Sequence, residues 1–338
     1  MIPHNKPTLG KEELAAVADV LSCGRLAQGY EVEAFENELC AFLGYDVGHA
    51  IALSSGSAAL YMAIRGVSAE KKVNTVAIPA YSCSALKNAV MLSNASPIYV
   101  DTKNDSPNID LDSRLIEEAD VTIAAHMFGM PMNIRGNAIE DCAQSIGAVV
   151  DDNSVGTQTP ISVFSFYATK PITSGGEGGM VVSKDTEIIK ELKDLRDFDM
   201  KNDDKLRFNF QMTDLQAAIG RVQLQKLGSL INRRHYLADR YCDKGVPLWN
   251  RSKGGIDYRG IIKSKNPWKL IKYLSERKIA AIIPIIDSEL LCDKEHVPNS
   301  YQLTQSLVSV PLYPSLTDND QDYIISTILS YVDKEGYI

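Results

Sequence analysis

The sequence predicts an α/β protein: a parallel sheet covered by helices on both faces, followed by a smaller α+β unit. Three observations lead there. Short apolar stretches alternate with helix-patterned stretches from about residue 50 to residue 183. A long amphipathic stretch, opened by Thr213-Asp214-Leu215-Gln216, runs to about Tyr241. After about residue 243 the elements shorten and the alternation stops. The expected division is a large unit over 1–242 and a small one over 243–338, with the N-terminal segment free to pack on the small unit.

In chain order, KEELAAVADVLSCG reads as an amphipathic helix ending at Gly24, with Leu14, Val17, Ala18 and Leu21 at helical spacing. YEVEAFENELCAFLG repeats the pattern with Val32, Phe35, Leu39 and Phe42, and stops at Gly44. HAIALSS is a short apolar strand and SAALYMAIRGV a helix. VNTVAIP, SALKNAVMLSN and ASPIYVD continue as strand, helix and strand. VTIAAHMFG and NAIEDCA are strand segments that end in polar residues or glycine. VFSFYAT is strand-like and leads into Lys170; after the loop PITSGGEGG comes the strand MVVS. Thr213 and Gln216 form a capping-box pattern, which satisfies orphan N–H groups reciprocally at a helix start. Beyond residue 243, YRGIIKS and IAAIIPI read as short elements, and WKLIKYLSERK and DNDQDYIISTILSYV as helices. Ligands of parallel sheets bind beyond the carboxyl ends of the strands. At those ends stand Ser55-Gly56-Ser57, Cys83, His126 and Asp141.

Composition narrows the function classes. A formal net charge of −8 argues against nucleic acid as the main partner, because phosphate backbones are met by clustered Lys and Arg. Six scattered cysteines with no CxxC read as reduced thiols of a cytoplasmic protein. The five histidines lack metal-ligand spacing, so no metal is expected. The polar start MIPHNKPTLGKEEL is not a signal peptide, and the longest apolar run, near IAAIIPII, is too short for a membrane span.

Lys170 sits between an apolar strand and a glycine-rich loop. Burial lowers a lysine's pKa, and the neutral amine is the nucleophile that attacks an aldehyde. Asp141 directly follows an apolar strand, where an acid suits a cationic partner such as the ring nitrogen of pyridoxal phosphate (PLP). Gln144 would share its face if a helical turn follows. Ser55-Gly56-Ser57 opens a helix, a natural anion site. Ser165 lies five residues before Lys170, on the opposite face of a straight strand unless the chain bends after Phe166. Each residue also has a plain reading: a solvated lysine, two helix caps, a core cysteine at Cys83. Their order along one scaffold says more than any of them alone. Neither GxGxxG after a strand nor GxxxxGK[ST] occurs to offer a competing cofactor.

These stretches resemble the DegT/DnrJ/EryC1/StrS group of fold-type-I PLP enzymes, the sugar-nucleotide aminotransferases. The resemblance rests on GRLAQGYEVEAFE, SSGSAALYMAI, PAYSCSALKNAV, EDCAQSIGA, VFSFYATKPITSGGEGGMVVS and FNFQMTDLQAAIGRVQLQKL. It covers roughly residues 1–240 and fades towards the end. It implies a large domain with a mostly parallel seven-stranded sheet, a small C-terminal domain, and a homodimer with a shared active site. It implies that Lys170 holds PLP as a Schiff base and shuttles the proton, that Asp141 pairs with the ring nitrogen and that Gln144 meets the ring hydroxyl. Gly56, Ser57 and Ser165 would bind the phosphate, joined by Asn209 or Gln211 of the neighbouring subunit. Cys83 would pack on the ring where many members have an aromatic residue, and either Tyr81 compensates or the site is roomier. The implied reaction takes an amino group from glutamate or glutamine, through pyridoxamine phosphate, to a keto sugar nucleotide. The alternative is a catalytically altered PLP-binding relative, regulatory or sugar dehydratase-like. The dehydratases replace the lysine with histidine, and Lys170 speaks against them. A lyase or desulfurase using Cys83 as nucleophile is the remaining rival, disfavoured by the position of Cys83 between a strand and a helix.

Overall fold

A computed structural model describes residues 1–336, the side chain of residue 70 excepted. Two helices come first, α1 (Lys11–Cys23) and α2 (Tyr30–Leu43). The alternating region follows as β1 (Ala50–Leu53), α3 (Gly56–Glu70), β2 (Thr75–Pro79), α4 (Ser84–Leu92), β3 (Ser96–Val100), β4 (Val121–Ala125) and β5 (Ala138–Asp141). A two-residue hairpin, β6 (Val149–Val150) and β7 (Asn153–Ser154), leads to β8 (Ile161–Ser165) and β9 (Gly179–Ser183). Next come α5 (Thr186–Arg196) and the long α6 (Asp214–Asp243). The chain ends with β10 (Gly260–Lys263), α7 (Pro267–Glu276), α8 (Pro298–Ser306), β11 (Leu307–Val310) and α9 (Asp318–Glu335).

The main sheet has seven strands in the order β1-β9-β8-β5-β4-β2-β3. β9 runs antiparallel to both of its neighbours, and the other pairs are parallel. Strand side chains alternate between faces, and the two cores divide accordingly. Ile51, Leu53, Val163 and Val181 join one core with α3, α4 and α5. Ala50, Ala52, Phe164, Met180 and Val182 join the other with α2 and α6. α2 and α6 come very close at Gly220, where a Cβ would lie 2.6 Å from the Phe35 ring. Any larger residue there would push the helices apart.

A further core gathers α6, α7, α9 and the β10–β11 pair around Tyr241, Leu270, Ile324 and Tyr331. Ile2 packs against it and bridges Ile279 in parallel. IAAIIPI differs from its expected reading as a regular element. It follows an irregular path with isolated bridges only, Ile279 to Ile2 and Ile282 to Ser309, and Pro284 removes a donor that a ladder would need. α5 and α8 are helices that the sequence pattern above did not single out. α1 has the expected span, but its apolar stripe faces outward: Leu14 is 71% exposed and Leu21 56%, while Glu13 is buried. No helix among the described residues is long and apolar enough to cross a membrane.

Candidate active site

A cavity of about 430 Å3 lies beyond the carboxyl ends of β5 and β8. Gly56, Ser57, Cys83, Asp141, Gln144, Ser165 and Lys170 all line it. Asn209 and Gln211 lie outside it, Asn209 exposed and Gln211 bridged to Leu53 at the edge of β1. The volume and the mixed apolar and polar lining are those of a small-molecule site.

Lys170 reaches the cavity because the strand ends at Ser165 and the chain turns. The turn is held by the Lys170 N–H donating to Tyr167 O (2.9 Å) and the Ser174 N–H donating to Phe166 O (3.0 Å). This bend brings Ser165 and Lys170 to one side, which a straight strand would not do. Thr169, just before Lys170, is fixed at its carbonyl by the Tyr258 hydroxyl (2.9 Å) and by Asn5 Nδ2 (2.9 Å).

Asp141 is the last residue of β5, a strand flanked by β4 and β8. A turn does follow it: the Ala143 N–H donates to Asp141 Oδ1 at 2.9 Å and the Ser145 N–H to Cys142 O at 3.0 Å. Burial pushes the Asp141 carboxyl above its ordinary value, against the Ala143 N–H and the charge of Lys170. Behind it, His126 Nε2 donates to Glu140 Oε1 (3.0 Å) while His126 Nδ1 accepts the Met132 N–H (3.1 Å). Glu140 also accepts the N–H groups of Gly156 (2.7 Å) and Gln158 (3.0 Å). Burial pushes this carboxyl up, but the hydrogen bonds outweigh it and hold it below the ordinary value. His126, Glu140 and Cys142 offer ligand-type atoms within 4.8 Å of one another, yet these bonds already occupy the carboxylate and both ring nitrogens.

Gln144 accepts the Phe128 N–H on Oε1 at 2.9 Å, and its Nε2 faces only the Met127 sulfur at 3.7 Å. Phe128 lines the cavity with a left-handed backbone, φ 58°. A bulky residue there is strained, and such strain gathers where a ring must be aimed. Tyr81 does not line the cavity. It is fully buried, edge-on to Phe128 at 6.1 Å, so Phe128 is the aromatic wall and the expectation for Tyr81 is corrected. Cys83 is exposed at the cavity and precedes α4.

At the start of α3, Ser55 Oγ accepts the Ala58 N–H (3.1 Å). The first-turn N–H groups of Gly56 and Ser57 have no intrahelical acceptor by position. A Cβ on Gly56 would fall 2.9 Å from the Ser165 Cβ, so glycine is what lets this helix start close on Ser165. Sequence reasoning missed Phe128, Tyr258 and Arg259 as cavity residues. For Phe128, the adjoining Gly129 was the available signal. For Tyr258 and Arg259 nothing local sets them apart, since the fold brings them there from about ninety residues after Lys170.

Comparison with known proteins agrees with this architecture. Residues 7–329 match the model of the DegT/DnrJ/EryC1/StrS aminotransferase family. The chain is 27% identical to GDP-perosamine synthase of Vibrio cholerae over 98% of this chain and 99% of that protein. It is 26% identical to the spore coat polysaccharide biosynthesis protein SpsC of Bacillus subtilis (strain 168), over 98% and 97% of the two chains. Among solved structures, S. venezuelae DesV in complex with a ketimine intermediate superposes with a TM-score of 0.85 at 25% identity, covering 95% of this chain and 94% of that one. The match runs through the sheet, the cavity and most of the C-terminal elements alike, and the chain belongs to the DegT/DnrJ/EryC1/StrS aminotransferase family.

Proposed function

We propose that the protein is a PLP-dependent aminotransferase that moves an amino group from glutamate or glutamine to a keto sugar nucleotide, in aminosugar synthesis for a surface polysaccharide or related glycan. One observation carries the reading: Lys170 and Asp141, delivered by separate segments, line the same cavity. The names of GDP-perosamine synthase and of the spore coat polysaccharide protein support the sugar, and the ketimine in DesV supports the cofactor.

The residues present fit the cofactor. Asp141 is a buried carboxyl whose protein hydrogen bond engages Oδ1 alone, which suits a cationic ring nitrogen. The amides of Gly56 and Ser57 with the Ser165 hydroxyl suit its phosphate. When bound, PLP supplies an electron-accepting ring that acidifies the reacting carbon. Asp141 would keep the ring nitrogen protonated. Gln144 would offer Nε2 to the ring hydroxyl, and Phe128 and Cys83 would confine the ring. Lys170 would be the covalent anchor for the aldehyde and the base that moves the proton. Tyr258 fixes the backbone beside that lysine through Thr169 O, so its amine swings from a rigid base.

The reading includes a homodimer in which Asn209 or Gln211 reaches the partner's phosphate end. Their place outside this chain's own cavity supports it, as do the exposed Leu14 and Leu21. The test is spectroscopic. The PLP-loaded protein loses its absorbance band when glutamate or glutamine is added, and a panel of keto sugar nucleotides restores it. A band unmoved by every amino donor would make this a binding protein without turnover.

A further inference from the structure

Arg259 lines the catalytic cavity, one residue after the Tyr258 whose hydroxyl holds the backbone beside Lys170. Its Nε and Nη1 are withdrawn from solvent and have no hydrogen-bond partner. Leaving charged donors buried and unsatisfied is costly, and proteins rarely do so without a use. Asp141 and Glu177 line the same cavity, but neither hydrogen-bonds these two nitrogens of Arg259. Its ionisable neighbours include His4, Tyr81, Tyr258 and Arg234, none of them a carboxylate. His4 is held well down, to about 3, by burial and then by Arg259, and its Nε2 is spent on Ser309 Oγ at 2.8 Å. Arg234 spends Nη1 on the carbonyls of Tyr258 (2.9 Å) and Leu312 (3.1 Å). The Arg259 guanidinium leans on the Tyr258 ring, 5.3 Å from its centroid, which braces the group without satisfying its N–H donors.

Arg259 reaches the cavity from a different segment than Gly56, Ser57 and Ser165 do. Residues 256–258 pack on Gly129: the Ile256 N–H donates to Gly129 O at 3.1 Å, and a Cβ on Gly129 would meet the Tyr258 Cβ at 2.9 Å. Arg259 therefore comes from the segment packed beside the Phe128 wall, whereas the phosphate residues come from α3 and β8. A planar guanidinium with free donors matches a carboxylate. We infer that Arg259 is the group that recognises the carboxylate of the amino-acid donor in this cavity. The inference rests on the aminotransferase reading and assigns that site its donor class, an α-amino acid. The carboxylate supplies the charge that the protein leaves out, and the amino group beside it is thereby directed to Lys170.

The test compares wild type, R259M and R259K, all loaded with PLP and matched for cofactor content and melting temperature. Calorimetric titration with glutarate, an unreactive dicarboxylate, reads binding without turnover. Stopped-flow absorbance with glutamate reads the first half-reaction, and a keto sugar nucleotide on the pyridoxamine form reads the second. In R259M, glutarate and glutamate both bind about 10- to 100-fold more weakly, the loss expected for charge-assisted hydrogen bonds, and R259K falls between. The second half-reaction keeps its KM. Unchanged affinity for glutarate and glutamate in R259M overturns the inference. So does a loss confined to the second half-reaction, which would assign Arg259 to the diphosphate of the sugar nucleotide. Failure of the parent reading looks different, because there the wild-type protein itself forms no band that glutamate or glutamine removes. Should R259M not fold, R259Q replaces it in the same titrations.

Discussion

The cavity wall and the outer face of α1 invert the usual rule in opposite ways. At the cavity, Asp141, Ser165 and two nitrogens of Arg259 are withdrawn from solvent. On α1, Leu14 and Leu21 stand in solvent, while the inward Glu13 accepts hydrogen bonds from the Gly10 N–H (2.7 Å), Gln223 Nε2 (2.7 Å) and Lys226 Nζ (2.9 Å). In one region the buried Arg259 nitrogens lack a complement that a ligand can bring. In the other the chain satisfies its polar side and leaves an apolar stripe for another surface. Both regions are incomplete as single-chain structures, and the missing chemistry differs: charge and hydrogen bonds in the first, apolar area in the second.

That contrast can be broken experimentally. The largest effect is expected from Lys170→Ala, which removes the base and the covalent anchor together; turnover falls on the order of 1,000-fold or more, measured in the coupled aminotransferase assay. On the other region, Leu14→Glu with Leu21→Glu shifts the protein to single-chain mass in sedimentation, because the dimer would lose four covered leucines worth about 1.5–3 kcal/mol each. The same pair of changes leaves the isolated chain within about 0.5 kcal/mol of its stability, because both sites are exposed.

Asp141→Asn comes next, with turnover falling about 100-fold and looser cofactor, seen in activity and in cofactor retention on dialysis. It also has a pH signature in the cofactor-free protein. Burial raises the folded carboxyl above its unfolded value. Its contribution to stability is therefore complete below the unfolded value, about pH 4, and is lost as pH rises through the folded one. In denaturant titrations from pH 4 upwards, the wild type loses stability relative to Asp141→Asn, while the gain from the buried His4 as pH rises is the same in both. Glu13→Ala removes the polar anchor of α1 and costs about 1–3 kcal/mol in urea unfolding. Ser55→Ala removes the cap of α3 for about 1 kcal/mol, read as a small drop in melting temperature.

The sheet and α6 were legible because their signals are local and repeated: alternating apolar stretches, and a capping box ahead of a long helical period. α5 carried a readable pattern too, with Ile188, Ile189, Leu192 and Leu195 buried at helical spacing among charges. α8 did not. Its apolar content is slight, and its start is pinned from a distance by Asp101, which accepts the N–H groups of Asn299 and Ser300 at 2.9 and 2.8 Å. IAAIIPI misled because three of its four isoleucines, Ile279, Ile283 and Ile285, are core residues without a ladder, while Ile282 is exposed. In the cavity, Lys170 and Asp141 were legible through their strand-end contexts, whereas Arg259 was not. An arginine's lack of partners is a fact about distant segments, and no window of sequence contains it.

The most direct measurement is borohydride reduction of the PLP-loaded protein followed by peptide mapping. The cofactor is expected to be fixed to Lys170 in the peptide containing SFYATK, and Lys170→Ala to leave no labelled peptide. Label on a different lysine, or none at all from a protein that binds PLP, would contradict it.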